Sequence, residues 1–299
     1  MLDEGQARAG VLAAVSVSLI WGLSFVAASM VLRTLSPVTL ATLRFILATL
    51  LFAPILLSNA LKGTSPNTSD LKEMALLGFL SISLYFWLQY TGVKYAGAGI
   101  SAILVVGFIP ILTGVASSLL LHETMGRGRL LGAATGFLGV AMITLPKLTA
   151  VNDDTGFLFG VACLLGNAVC WSLYSTLSRR LMQRIGRPAY VTSHVTLFGA
   201  LFLIPLSVTS DWGALGALSS NQWLSILYLA VVCSGGGYLL WNFALSRLES
   251  VRAAIWLYLE PVAAFVGEAV ILGTLPDAVT AAGGVLVLLG AVVTSLTKK

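Results

Sequence analysis

Four ionisable side chains interrupt long apolar runs of this sequence: Arg44, His194, Glu260 and Glu268. A charge in the middle of an apolar run costs roughly 3 kcal/mol or more, and such residues mark substrate or ion pathways by default. Arg44 and His194 occupy matching depths in their runs. Either could bind a carboxylate, although snorkelling or helix pairing would also explain them. Glu260 could bind an amine, and a proton could be carried by Glu260, Glu268, His194 or, near a helix end, Glu123.

Aromatic and amide side chains accompany these charges. Tyr85, Phe86 and Gln89 fall on one arc of a helix, because residues three and four apart are neighbours there. Rings with few fixed charges suit a flat apolar ligand with polar ends, although packing is the alternative for each ring. The predicted substrate-binding residues are Trp21, Ser24, Tyr85, Phe86, Gln89, Trp171, Tyr174, Asn242, Trp256 and Glu260.

Two prolines occupy the interiors of apolar runs. Pro110 and Pro261 each remove a backbone donor and disfavour helical geometry in the residue before them. We predict that they are hinges for gating, while a structural kink without gating remains the alternative.

An enzyme would need a catalytic constellation in these runs. The two histidines, His122 and His194, offer neither a metal cluster nor a Ser–His pair. Cys163, Cys170 and Cys233 show no metal-ligand spacing, and we found no phosphate-binding loop. The sequence therefore predicts a protein that is not an enzyme, with no metal and no cofactor.

The elements that position these residues are long and apolar. The chain of 299 residues is 58% hydrophobic and 10% charged, whereas an ordinary soluble domain has about 25% charged residues. Runs of about twenty apolar residues can cross a bilayer as helices, and their continuous apolarity argues against a barrel. The predicted runs lie near residues 10–32, 37–58, 71–91, 97–121, 129–147, 157–178, 188–209, 221–245, 251–273 and 278–297. We therefore predict an all-α integral membrane protein with ten transmembrane helices.

Basic residues are distributed unequally between the predicted loops. If the N-terminus is cytoplasmic, thirteen Lys and Arg residues fall in cytoplasmic segments, and only Arg33, Lys94 and Lys147 fall opposite. This asymmetry is the positive-inside signal, so both termini are predicted to be cytoplasmic. The net charge is +5, but the basic residues are scattered over short loops, which argues against a nucleic-acid partner.

The second half of the chain repeats the first. A shift of 150 residues aligns Trp21 with Trp171, and a shift of 151 aligns Pro110 with Pro261. Each repeat, 10–147 and 156–297, holds five predicted helices. Because five is odd, the two repeats must cross the membrane in opposite directions. Inverted repeats are typical of secondary transporters, since two such halves can exchange conformations.

At this point the sequence resembles a known family. The segment IWGLSF, residues 20–25, and the segments 95–143 and 244–293 are similar to the drug/metabolite transporter superfamily of the EamA type, including its aromatic amino acid exporters. The resemblance implies a ten-helix exporter whose central cavity is lined by the first four helices of each half, with the fifth and tenth as a scaffold. The family's Glu before the last helix of each half is matched by Glu123, but the second position is Thr274.

Together these features predict a secondary transporter that exports amino acids, preferably aromatic or hydrophobic ones, or similar small metabolites. Alternating access through the central cavity would carry them across the inner membrane. The expected partners are a small-molecule substrate and the lipid bilayer, and a monomer is compatible with the sequence. A flippase of lipid-like molecules is the alternative, and it would need a side opening between helices.

Overall fold

The computed structural model describes residues 4–63, 66–96, 98–123, 126–144, 155–272 and 278–296. Within these ranges every regular element is helical and no strand occurs. Seven helical segments are long and apolar enough to cross a membrane, and two shorter apolar segments, Leu130–Gly139 and Ala281–Gly290, accompany them. The protein is therefore an all-α, multi-pass membrane protein. The remaining predicted runs, near 129–147, 251–273 and 278–297, coincide with helices that are shorter or interrupted.

The helices follow one another with short connections. Two runs change their winding part-way, through a π-helical segment, and a third does so through a 3₁₀ segment. In chain order the elements are α1 Glu4–Val31, α2 Pro37–Leu61, α3 Thr68–Gly78, the first π segment Phe79–Leu84, α4 Tyr85–Ala96, α5 Ala98–Leu121, α6 Arg127–Thr144, α7 Thr155–Ile185, α8 Pro188–Ser207, a short 3₁₀ turn Gly213–Ala217, α9 Ser220–Leu227, the second π segment Tyr228–Gly237, α10 Tyr238–Arg247, α11 Ser250–Ala254, the 3₁₀ segment Ile255–Tyr258, α12 Leu259–Leu272 and α13 Ala278–Leu296.

Several helices begin at capping residues. Ser36 precedes Pro37 at the start of α2, and its hydroxyl accepts a hydrogen bond from a first-turn amide at 3.2 Å. Ser219 and Gln222 form a capping box at the start of α9. The Gln222 side chain also donates to the Met30 carbonyl at 2.9 Å. The capping box therefore starts α9 and ties it to the end of α1.

The two π segments occupy matching places in the sequence repeat. A π segment changes which groups meet neighbouring helices, and such segments often occur at functional sites. The Ser81 carbonyl, in the first π segment, accepts a hydrogen bond from the Tyr238 hydroxyl at 2.7 Å. The Cys233 carbonyl, in the second, accepts one from the Trp21 indole at 3.0 Å. Both segments therefore contribute backbone acceptors to the interior.

Helices α6 and α13 pack against each other through glycines. A Cβ at Gly139 would lie 2.6 Å from the Gly283 carbonyl oxygen, and a Cβ at Gly290 would lie 2.6 Å from the Gly132 carbonyl oxygen. Only residues without side chains permit so close a backbone approach. The Tyr258 hydroxyl donates to the Ala133 carbonyl at 3.0 Å and so joins this pair to the rest of the molecule.

The two predicted hinge prolines lie inside helices. Pro110 stands in the middle of α5, which is continuous over its length. Pro261 lies in α12, directly after the 3₁₀ segment. A proline cannot donate to the preceding turn and crowds its carbonyl, so a change of winding before Pro261 has a physical reason. The hinge function of both prolines stays a prediction.

Candidate functional site

Two tryptophans from matching positions of the repeat meet in the interior. The ring centroids of Trp21 on α1 and Trp171 on α7 lie 5.1 Å apart in a T-shaped arrangement. A Cβ at Gly237 would lie 2.5 Å from Trp21 Nε1, so the indole fits only against a glycine. The Trp171 indole N–H is buried and has no acceptor among the described residues. A buried indole N–H usually has a hydrogen-bond partner, so this unpaired donor is unusual.

Aromatic side chains from four helices, α2, α4, α7 and α10, surround this pair. Their neighbouring ring centroids lie 5.0 to 6.0 Å apart. Such contacts contribute about 0.5 to 1.5 kcal/mol each beyond their buried area, so they hold the rings in a fixed arrangement. What we call the aromatic cluster consists of Trp21, Phe45, Tyr85, Phe86, Tyr90, Trp171, Tyr174, Tyr238 and Trp241.

Arg44, on α2, places a positive charge against this cluster. Its side chain is 5% exposed, and its guanidinium carbon lies 5.0 Å from the Phe86 ring centroid and 5.3 Å from that of Phe45. Its Nε donates to the Ser234 hydroxyl at 2.5 Å, while the Tyr90 hydroxyl lies close to the guanidinium. Within the described part of the chain, no carboxylate pairs with Arg44.

Glu260, at the start of α12, places a carboxyl group near the same rings. The residue is 9% exposed, and its carboxylate has neither a hydrogen bond nor an ion pair with any described residue. A Cβ at Gly22 would collide with the Glu260 carbonyl, so α1 and α12 are in close contact beside Trp21. The Trp21 indole beside this contact donates to the Cys233 carbonyl, and Arg44 donates to the neighbouring Ser234. A buried carboxylate and a buried guanidinium thus share one aromatic environment.

Asn242, predicted to bind substrate, is buried within a hydrogen-bond network. Its side-chain oxygen accepts from the Tyr174 hydroxyl at 3.2 Å and from the Ser178 hydroxyl at 2.6 Å. Its side-chain nitrogen donates to the Thr192 hydroxyl at 2.8 Å. The amide therefore joins α7, α8 and α10 beside the aromatic cluster, with its hydrogen-bonding capacity largely satisfied by the protein.

Other predicted residues lie outside the cluster or at its edge. The Ser24 hydroxyl donates to the Trp21 carbonyl at 2.6 Å, within its own helix. His194 Nδ1 lies 2.8 Å from the Tyr190 carbonyl of its own helix. Gln89 is half-buried, without a hydrogen-bond partner in the described ranges. The side chain of Glu268 lies outside the described residues.

Trp256, a predicted substrate-binding residue, lies four residues before Glu260 and would share a face with it in a regular α-helix. Residues Ile255–Tyr258 instead form a 3₁₀ segment, which turns each residue further around the axis than an α-helix does. Trp256 is half-buried and packs against the apolar core. The four-residue spacing therefore does not by itself align its ring with the carboxylate.

A cavity of about 210 Å³ leads to the cluster from one side. It lies at the N-terminal end of α2, between α4 and the C-terminal part of α8, and Phe86 and Tyr90 form part of its wall. These two rings also flank Arg44. Trp87 and Leu206 line the cavity as well, and they are exposed at the surface of the protein. The cavity thus connects a lateral surface with the rings beside Arg44.

An ion pair that the sequence analysis did not predict joins the two repeats. Glu123 Oε1 lies 2.5 Å from Arg179 Nε, and these side chains are 9% and 10% exposed. Glu123 Oε2 accepts a hydrogen bond from the Ser250 amide at 3.1 Å, and Arg179 Nη1 donates to the Leu245 carbonyl at 3.1 Å. The resemblance pointed to Glu123 but not to these partners.

Two more arginines near the end of α7 reach the first repeat. Arg184 lies 2.6 Å from an Asp70 oxygen and 2.5 Å from a Glu73 oxygen. Arg187 donates to the Asn59 side chain at 2.9 Å. In each of these contacts the second half supplies the arginine and the first half supplies the acceptor.

The family model for "EamA-like transporter family" matches this chain twice, over residues 8–145 and 158–296. The chain belongs to the EamA-like transporter family. The family resemblance inferred from the sequence is thereby confirmed, and the protein is a transporter-family protein of the membrane rather than a member of an enzyme family.

Relatives of this EamA-like protein carry transporter names. An "Uncharacterized transporter" of Archaeoglobus fulgidus is 29% identical over 90% of this chain and 92% of its own. A "Probable amino-acid metabolite efflux pump" of Salmonella typhimurium is 29% identical over 93% and 91%. A "Probable terminal-alkyne amino-acid exporter" of Streptantibioticus cattleyicolor is 27% identical over 75% and 73%.

A solved crystal structure has the same fold as this EamA-like protein. It superimposes with a TM-score of 0.80, covers 97% of each chain and is 20% identical in sequence. At that identity the similarity extends to the fold alone.

Proposed function

We propose that this protein is a secondary transporter that exports amino acids or similar small metabolites, with a preference for aromatic or hydrophobic amino acids. The observation that carries the proposal is the aromatic cluster beside Arg44, in which a buried guanidinium has no carboxylate partner within the described residues. Apolar rings with a few convergent polar groups are typical of small-molecule sites. Two relatives whose names refer to amino-acid export support the substrate class.

The proposed architecture is ten transmembrane helices in two inverted repeats, 10–147 and 156–297, with both termini cytoplasmic in the plasma membrane. The contact between Trp21 and Trp171, which are partners in the repeat, supports a site at the interface of the two halves. The unequal distribution of basic residues supports the orientation. In this orientation the end of α7 is cytoplasmic.

Alternating access would then depend on contacts at the two ends of the helices. The pairs of Arg179 with Glu123 and of Arg184 with Asp70 join the halves at the proposed cytoplasmic side. Inverted-repeat transporters change access by rocking one half against the other, so these pairs must separate when the cytoplasmic side opens. Pro110 and Pro261 are the proposed hinges for this movement.

Export can be tested with purified protein in vesicles loaded with labelled amino acids. Release of Phe or Trp without ATP, above the release from protein-free vesicles, supports the proposal. A transporter that moves no amino acid in a screen of all twenty would refute it. Substituting Trp171 with Leu should reduce flux, whereas Phe202→Leu, which removes an exposed ring on α8, is the matched control.

A flippase of lipid-like molecules is the second candidate function. The lateral cavity favours it, because Trp87 and Leu206 line the cavity and are exposed where lipid would lie. Translocation of a fluorescent lipid between the leaflets of the same vesicles, faster than in protein-free vesicles, would support this candidate. Amino acid flux without lipid translocation would exclude it.

A further inference from the structure

Two buried ionisable groups, a guanidinium and a carboxyl, lie beside the aromatic cluster without pairing with each other. Arg44 is 5% exposed and Glu260 is 9% exposed, and neither forms an ion pair with a described residue. Arg44 donates to Ser234, and the Glu260 backbone lies against Gly22, next to the Trp21 whose indole donates to the Cys233 carbonyl. Both groups therefore lie beside the aromatic cluster, and they do not form an ion pair with each other.

Uncompensated charges are costly in a low-dielectric interior, so each of these groups favours a ligand of opposite charge. The Arg44 Nε donates to Ser234, and the Tyr90 hydroxyl also lies against the guanidinium. A guanidinium has five N–H donors, so a carboxylate can still bind it through two parallel hydrogen bonds. The Glu260 carboxylate accepts hydrogen bonds only, so an ammonium group is its natural partner.

We infer that Arg44 binds the carboxylate of the substrate and that Glu260 binds its ammonium group, so the substrate class is zwitterionic amino acids. This inference rests on the proposed transport function and adds the recognition of both charges. The rings of Tyr85, Phe86 and Trp171 lie beside the two charges and supply contacts for an apolar side chain.

A ligand with a single charge would leave one of the two residues unpaired. An amine would be attracted by Glu260 but repelled by Arg44. A carboxylate would be attracted by Arg44 but repelled by Glu260. Because a hydrogen bond to a charged group contributes about 1.5 to 3 kcal/mol, each missing partner should weaken binding at least about tenfold.

The test uses three compounds with the same phenylethyl body: phenylalanine, phenethylamine and 3-phenylpropionate. Each competes with labelled phenylalanine for flux through the wild-type protein in vesicles. Phenylalanine should compete at least about tenfold more strongly than either single-charge analogue. Equal competition by all three would overturn the inference while leaving amino acid transport intact. Absence of flux for every amino acid would refute the proposed function itself, and the inference with it.

Two variants assign the charges. Arg44→Gln should weaken competition by phenylalanine about tenfold and leave that by phenethylamine unchanged or stronger. Glu260→Gln should weaken competition by phenylalanine about tenfold and leave that by 3-phenylpropionate unchanged or stronger. Arg180→Gln, at an exposed position of α7, is the control and should change none of the three. Equal losses for all three compounds in a variant that elutes as a folded protein would contradict the assignment. If a variant does not fold, the competition measured with the wild-type protein tests whether both charges of the substrate are recognised.

Discussion

Replacing Glu123 with Gln should destabilise the protein by about 3 to 5 kcal/mol, because removing one partner of a buried ion pair leaves an uncompensated charge. The carboxylate is 2.5 Å from Arg179 Nε, and the two side chains are 9% and 10% exposed. Its second oxygen accepts from the Ser250 amide at 3.1 Å. In the variant, Arg179 would keep its hydrogen bond to the Leu245 carbonyl but would lose the opposite charge beside it.

Unfolding in mixed detergent micelles with increasing sodium dodecyl sulfate, followed by tryptophan fluorescence, measures this loss. Arg184→Gln is the matched control, since Arg184 also pairs with carboxylates but its side chain is 45% exposed. An exposed pair contributes about 1 kcal/mol or less. Equal losses in the two variants would refute the argument that burial makes the Glu123 pair strong.

Three further substitutions test the packing around the aromatic cluster in the same unfolding assay. Gly237→Ala places a Cβ 2.5 Å from Trp21 Nε1 and should cost about 1 to 3 kcal/mol, whereas Gly126→Ala, with nothing within 4 Å, should cost far less. Asn242→Leu leaves its buried hydroxyl partners without hydrogen bonds and should cost about 1 to 3 kcal/mol for each. Tyr238→Phe removes one hydroxyl donor while keeping the ring and should cost about 1 kcal/mol; no loss would show that its bond to the first π segment adds nothing.

The sequence predicted the class of fold and part of the interior. Continuous apolar runs of about twenty residues indicate membrane helices, because a helix with one face in water carries polar residues on that face. The repeat, with its two tryptophans at mid-run, indicated an interior position, and the rings of Trp21 and Trp171 do meet. The charge of Arg44 was informative because an isolated charge in such a run is costly. That these residues bind substrate stays a prediction.

The changes in helical winding could not be predicted. A π segment inserts one residue per turn into a run that is apolar on every side, so no periodic pattern reveals it. Tyr238 and Trp241 thereby reach the cluster although their spacing gave no such indication. Trp241 directly precedes Asn242, which the sequence did single out as a candidate.

Contacts between distant parts of the chain could not be predicted from the sequence either. Glu123 and Arg179 are far apart in the chain, and both lie near helix ends, where charged residues are ordinary. Their pairing depends on how α5, α7 and α11 pack, which single-sequence patterns do not determine. The resemblance to EamA-type transporters marked Glu123 as a family position, yet only the packing gave it a partner.

Equilibrium binding of phenylalanine to the purified protein tests most directly whether the aromatic cluster is the substrate site. Trp21, Trp171 and Trp241 lie within the cluster, so their fluorescence should report a ligand there. We predict a saturable fluorescence change whose amplitude falls in Trp171→Phe and whose Kd rises about tenfold in Arg44→Gln. Saturable binding with the same amplitude and the same Kd in both variants would contradict the account.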